Sequence, residues 1–333
     1  MFAEEMLQVK SFGEIIDLSN SLQESCTDQK VTRADGVTNF IYDPYEDLVK
    51  YVEDGDSIHS GKFTPYSFSQ LCTRLGIPIR YMEKCKEVGH SELIAYNLNE
   101  WLKMKNKNLL VRKYKEDIRG IVSQKYSVLD TPDILEVLQP HMLKTNAKVV
   151  GYYLSPERFH MRAILAQMSS DEDIFAGFQV DSSDVGRSTL SVTFFVWKQV
   201  CTNGLMLAQD EGQLFKQRHI NISKEDFVDG LQRGMEIIPE VLPLVAKQIN
   251  YAKSKAVPYE FITEKGVQDF IDDMKNHIQL SESDSHKVIE LMKSKYGDTR
   301  WSLINSLTEL AQEYTLEKRL DVERYAGNLL LVA

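Results

Sequence analysis

The sequence predicts an α+β fold: a largely antiparallel β-sheet core with an embedded helix, flanked by an N-terminal helical segment and a C-terminal helical region. Three observations carry this. Leu190, Val192, Phe194 and Val196 alternate with Ser191, Thr193, Phe195 and Trp197, the period-two pattern of a strand. Phe227, Leu231, Met235, Ile238, Leu242, Val245 and Ile249 recur every three or four residues, the buried stripe of a long helix. Strand-like and helix-like stretches are segregated along the chain rather than alternating, which favours α+β over α/β.

Element by element, residues 1–63 read as an N-terminal arm, irregular or in short strands, because turn signals such as Ala34-Asp35-Gly36 and Tyr42-Asp43-Pro44 break the apolar runs. Residues 64–222 read as the α+β core. Thr64 can cap a helix with Pro65 at its first position, and Gly76 and Pro78 end it. A short helix over 80–87 and one starting at Ser91 follow. Strands are expected over 109–114 and 118–122 around a turn at Lys115 to Asp117. Thr131-Pro132-Asp133 opens the embedded helix, which should end near Pro140. A hairpin over 148–154 and 159–166 turns at Ser155-Pro156-Glu157, and a strand at 174–180 precedes the one at 190–197. Asp181-Ser-Ser-Asp-Val-Gly186 reads as a hairpin loop, and Asn203-Gly204 as a turn. Residues 223–333 form the C-terminal helical region packed on the core. Pro239 and Pro243 should bend or split its first helix, and further helices are expected over 263–278, 284–296, 299–314 and 316–328.

The 333 residues are 43% hydrophobic and 26% charged, an ordinary balance for a globular chain. No stretch has the length and apolarity of a membrane helix, and the N-terminus lacks a secretory h-region, so a cytoplasmic location in a host cell and no membrane partner are expected. Cys26, Cys72, Cys85 and Cys201 form no C-x-x-C pair and read as reduced core thiols. No dinucleotide fingerprint, P-loop or nucleophile elbow is present, and no cofactor is expected.

Net charge is −10, but it is unevenly spread. Residues 1–100 carry 17 acids against 9 bases, whereas residues 101–150 carry 10 bases against 5 acids. A local basic segment in an acidic chain can meet phosphate without coating duplex DNA indiscriminately. Lys107, Arg112, Lys113, Lys115, Arg119 and Lys125 cluster with Tyr114 and Tyr126, and Arg158, Arg162 and Arg187 fall on later strands or loops of the expected sheet. Cations can hold backbone phosphates while rings stack unpaired bases, so these eleven are the candidate nucleic-acid residues. Alternation places Arg112 and Tyr114 on one face and Lys113 on the other, so the whole set cannot form one surface. Asn203, Arg218 and His219 form a further polar candidate. Cys201 with His219 as base, or Asp181, Asp184 and His219 with Asp171 and Asp173 as metal ligands, are chemically conceivable. Both sets are more simply strand ends and turn-forming loop residues, so no catalytic or metal site is assigned.

Several segments carry a resemblance: Arg119-Gly-Ile-Val-Ser-Gln-Lys-Tyr126 followed by Leu129-Asp-Thr-Pro-Asp-Ile-Leu135, Val185-Gly-Arg-Ser188, Val200-Cys-Thr-Asn-Gly-Leu205, Arg218-His219, and Trp301-Ser-Leu-Ile-Asn-Ser-Leu-Thr-Glu309, with Leu75-Gly-Ile-Pro78 upstream. In this order they resemble the phage- and plasmid-like family catalogued as domain of unknown function 932, over roughly residues 70 to 315. The resemblance implies a mobile-element origin and no particular reaction. A strand-strand-helix-strand core is also broadly similar to phage single-strand annealing proteins, which implies a homo-oligomer. The expectation is a non-enzymatic protein that binds or anneals single-stranded nucleic acid, single-stranded DNA in particular. The alternatives are a protein that binds and inhibits a host defence or replication factor, and an enzyme of unrecognised type.

Overall fold

The structure is a computed structural model that describes residues 10–34, 40–53, 57–105, 107–169, 174–198, 203–206, 213–219 and 223–331. The segment expected to be an arm, irregular or in short strands, opens instead on a helix, α1 (Phe12–Gln23), and then forms strands β1 (Cys26–Ala34), β2 (Phe40–Asp43), β3 (Leu48–Val52) and β4 (Ile58–Phe63). α1 opens on a capping box: Ser11 Oγ accepts the Glu14 amide, and the Glu14 carboxylate accepts the Ser11 amide at 2.9 Å. That reciprocal pair satisfies two otherwise orphaned donors and explains a helix where the apolar pattern alone is weak.

Three helices follow, α2 (Pro65–Leu75), α3 (Ile79–Glu87) and α4 (Ser91–Lys105). Thr64 caps α2 through the Ser67 amide, Pro65 takes the first turn, and Gly76 ends the helix at φ 76°. β5 (Lys107–Tyr114) and β6 (Asp117–Ser123) then pair antiparallel and complete a sheet in the order β1-β5-β6-β4-β3-β2. Within it only the short β4–β6 contact is parallel. Leu71, Leu75, Leu98 and Leu102 of the helices meet Val49, Val111, Ile118 and Ile121 of this sheet in one core.

The embedded helix α5 (Thr131–Thr145) runs past Pro140 and stops at Asn146, in the left-handed conformation. Proline removes the hydrogen bond to the carbonyl of Glu136, and both residues lie on the exposed side, where water can serve that carbonyl. A second, antiparallel sheet has the order β7 (Lys148–Leu154), β8 (Phe159–Ser169), β9 (Ile174–Ser182), β10 (Leu190–Lys198) and β11 (Asn203–Met206), and β12 (Gln213–Gln217) shares the outer edge of β10 with β11. Asn203 and Gly204 therefore lie in a strand, paired with Lys198 and Trp197, rather than in the expected turn.

One face of the second sheet packs Phe159, Met161, Phe178, Val180 and Val192 against Ile134, Leu135 and Leu138 of α5 and Ile15 of α1. Further along, Ile174, Ala176, Phe194 and Val196 meet the C-terminal helices α6 (Lys224–Ser254), α7 (Glu264–Ile278), α8 (Glu282–Leu291), α9 (Arg300–Leu310) and α10 (Leu316–Leu331). α6 continues through Pro239 and Pro243 without splitting. The opposite face of β10 is also covered, as Phe195 is fully buried there. Among the described residues, no helix is long and apolar enough to cross a membrane.

Strands β8 and β9 approach so closely at Gly177 that an added Cβ would fall 2.0 Å from the Ala163 carbonyl oxygen. That neighbour is backbone and cannot swing aside. Gly177→Ala should therefore destabilise the protein by about 1–3 kcal/mol in urea unfolding, an overpacking cost.

Candidate functional site

The two sheets meet where the β9–β10 connection, residues 183–189, inserts beside β6. Gly120 leaves room for it, since a Cβ there would lie 2.6 Å from the Val185 side chain. Gln70 ties α2 to the same junction, donating to the Val185 carbonyl at 2.7 Å and accepting the Ile121 amide at 2.9 Å.

Beneath this junction lies a buried charge network. Arg112 donates to Asp28 at 2.8 Å, to Asp130 at 2.6 Å and to the Asp184 carbonyl. Arg119 donates to the Pro156 carbonyl and, at 3.2 Å, to the Asp184 carboxylate, whose other oxygen accepts the amide and hydroxyl of Thr131. Burial disfavours the Arg112 charge, but Asp130 and Asp28 more than offset this and hold its pKa above the ordinary value. Burial and neighbouring Asp130 push Asp184 up to about 6 against the pull of Arg119 and Arg112.

A second network covers the other face of the second sheet. His160 Nδ1 meets Asp181 at 2.9 Å, and Arg158 approaches Asp181 at 3.6 Å. Burial opposes the Asp181 charge, but His160 and Arg158 outweigh it and hold this carboxyl below its usual range. Burial lowers the pKa of His160 despite the opposing pull of Asp181. Arg162, 2% exposed, bonds Gln179 at 2.9 Å and both oxygens of Glu323 on α10, and Phe195 lies under its guanidinium.

Above these networks the surface is open. A cleft of about 180 Å³ is lined by Arg74, Lys105 and Lys107 over Leu71, Leu75, Leu102 and Leu109. It shares Arg74 and Ser123 with a cleft of about 300 Å³ that carries Tyr126, Arg187, Arg218 and His219. That cleft in turn shares Ser188 and Thr189 with a third, of about 230 Å³, carrying Arg158, Lys216, Arg324 and Asp181. Joined through these shared residues, the three make a groove that crosses the seam of the sheets, its lining carrying eight cations and one carboxylate; a fourth cleft, of about 510 Å³, shares Tyr126 with the second and carries Asp28, Glu53 and Lys30. Lys107, Lys216 and Arg218 are exposed and have no carboxylate partner among the described residues. Tyr126 and His219 stack at 5.3 Å and 12° to form one wall. Burial pushes His219 down to about 4; its Nε2 meets Ser182 Oγ at 3.3 Å, and its Nδ1 has no partner among the described residues.

The candidate residues thus divide. Lys107, Tyr126, Arg158, Arg187, Arg218 and His219 come together along the groove. Arg112 and Arg119 are buried to 0% and 1% exposure, and with Arg162 they hold carboxylates inside the protein, so in this conformation they offer no surface to phosphate. Arg158 is also largely buried and reaches the groove from below. Lys113 bonds the Ser60 carbonyl at 2.8 Å, Lys115 lies over the Tyr114 ring at the β5–β6 turn, and Lys125 is exposed outside the groove lining. Asn203 lies on β11, paired with Lys198 of β10. Arg74, Lys216 and Arg324 were not legible as site residues, because isolated cations on separate elements leave no local pattern.

The metal candidates do not converge: Asp181 pairs with His160 and Arg158, and Asp184 with Arg119 and Thr131. Among the described residues no group of His, Cys, Asp and Glu is arranged to hold a metal ion. Asp171, Asp173 and Cys201 lie outside the described residues. His219 also lacks the acid partner that orients a base in a nucleophile–base pair.

These observations define an α+β protein of two sheets with a cation-lined groove at their seam. The family model described as domain of unknown function (DUF932) matches residues 119–326, and the chain belongs to that family. No curated protein and no solved structure matches the chain. The matched region supplies most of the groove, including Tyr126, Arg187 and His219, while Arg74, Lys105 and Lys107 come from the sequence before it.

Two outcomes follow from the buried charges. Glu323→Leu should cost about 3–5 kcal/mol in urea unfolding, because it leaves the Arg162 guanidinium buried without its counter-ion, and adding Arg162→Met should recover most of the loss. His219 is neutral in the folded protein down to about pH 4, whereas an unfolded histidine protonates near 6.5. Its contribution to stability is thus complete above about pH 6.5 and is lost as pH falls toward 4. His219→Gln should flatten the stability–pH slope in that window by up to about 1.4 kcal/mol per pH unit, measured by urea unfolding at stepped pH.

Proposed function

We propose that this protein binds single-stranded nucleic acid along the groove at the sheet seam, without catalysing a reaction on it. The observation that carries the proposal is the groove's lining: eight cations and one carboxylate, on a chain whose net charge is −10. Concentrating positive charge in one groove of an acidic protein attracts phosphate there and repels it elsewhere. Tyr126, stacked on the buried His219, lies beside Arg218 in the lining, and an aromatic ring among cations is a combination that single-strand binders use. The sequence's resemblance to a phage- and plasmid-like family points to mobile-element replication or recombination as the setting.

A second reading, capture of a host protein, draws on one observation. α4 exposes Leu93, Tyr96, Trp101 and Met104 near Tyr81 of α3, an aromatic and methionine-rich surface of the kind protein interfaces favour.

Fluorescence anisotropy with labelled single-stranded and duplex oligonucleotides at two salt concentrations tests the first reading. Single strands should bind more tightly, with salt-sensitive affinity. Arg218→Glu and Lys216→Glu should each weaken binding at least several-fold. Neutralising either residue should reduce the salt slope by roughly 0.7 per lost phosphate contact. No binding at low salt, or variants that bind like wild type, would sink the groove reading and turn attention to the α4 surface.

A further inference from the structure

Between the second and third clefts, two arginines from different connections converge on one carboxylate. Arg187, from the β9–β10 connection, donates to Glu317 Oε1 at 2.8 Å. Arg158, from the β7–β8 turn, places Nη1 at 3.6 Å from the same oxygen. Each guanidinium has a second acid, Glu157 at 3.5 Å from Arg187 and Asp181 at 3.6 Å from Arg158. Those two acids are only 18% and 14% exposed and are held within the fold, whereas Glu317 is 54% exposed at the start of α10. Glu317 does not line the groove itself; it reaches the arginines from its rim.

We propose that Arg158 and Arg187 form a phosphodiester subsite of the groove, which Glu317 occupies in the ligand-free protein and yields to a bound strand. The inference rests on the groove reading above and adds the residue that sets its affinity. A carboxylate bridging two guanidinium groups satisfies the same donors and charges as one phosphate. Exposed ion pairs are weak because water competes for both partners, so a phosphate can displace Glu317 at small cost. The exchange also has a signature in salt. An arginine already neutralised by Glu317 holds no counter-ion to release, so a phosphate arriving there adds little to the salt dependence of binding. With Glu317 neutralised, Arg187 and Arg158 keep Glu157 and Asp181, and the strand no longer has a rim carboxylate to displace.

The test is anisotropy of the full-length protein with a labelled single-stranded oligonucleotide. Glu317→Gln should bind about five- to ten-fold more tightly than wild type at low salt. Glu136→Gln, which removes an equal charge from α5, should shift affinity by less than about two-fold. In the Arg187→Gln background, adding Glu317→Gln should give a clearly smaller gain, since only Arg158 then faces Glu317. Thermal unfolding of each variant establishes that it is folded. If wild type binds and Glu317→Gln binds no more tightly, or gains equally without Arg187, the subsite is wrong while the groove reading stands. If no variant binds the oligonucleotide, the groove reading falls and the subsite with it.

Discussion

The buried contact of Arg112 and Arg119 with Asp130 and Asp184 is what the rest of the molecule depends on. Arg112 and Arg119 come from the first sheet, Asp184 from a connection of the second, and Asp130 from the residue that caps the helix between them. A guanidinium out of water is tolerable only when carboxylates and carbonyls take up its charge and its donors. Here Asp28, Asp130, Asp184 and the carbonyls of Asp184 and Pro156 take up the charge and the Arg112 donors, while Arg119 bonds through Nη1 and its Nε and Nη2 have no hydrogen-bond partner among the described residues. Separating the sheets would strand those charges, so the network fixes one arrangement of the two halves, and the groove runs over the seam so fixed.

The same logic recurs on the far side of the second sheet, where its polar face is closed by α10. Val322, Ala326 and Leu330 anchor that helix in the apolar core, while Glu323 neutralises Arg162 and Arg319. α10 thereby does two jobs. It buries a charged sheet face that would otherwise stay wet, and its first turn presents Glu317 to the two arginines at the groove rim. Arg158 and Arg162 lie on this same sheet face, but Arg162 is closed over by Glu323 of α10, whereas Arg158, just before β8, also reaches the cleft lining.

Much of the architecture is local in origin and was readable. Thr64 with Pro65, Thr131 with Pro132, and the alternation from Leu190 to Trp197 each satisfy backbone donors or match one face to a core, so those elements appear where the pattern places them. Where reading and structure part, the deciding partner is remote or was given too little weight. The Ser11–Glu14 capping box made a helix of a segment read as irregular, and pairing across β10 drew Asn203-Gly204 into a strand.

The sequence by itself determined the fold class, the family and the concentration of positive charge in the middle of the chain, because composition, periodicity and motif order are written in consecutive residues. Tertiary structure alone decided which cations are exposed. Alternation can place Arg112 and Lys113 on opposite faces, but it cannot say that the face carrying Arg112 will be covered by Asp130 and Asp184, 18 and 72 residues away. Nor can it bring together Arg74, Arg187, Arg218 and Lys216, which share a groove only because two sheets meet at a seam fixed by buried charge.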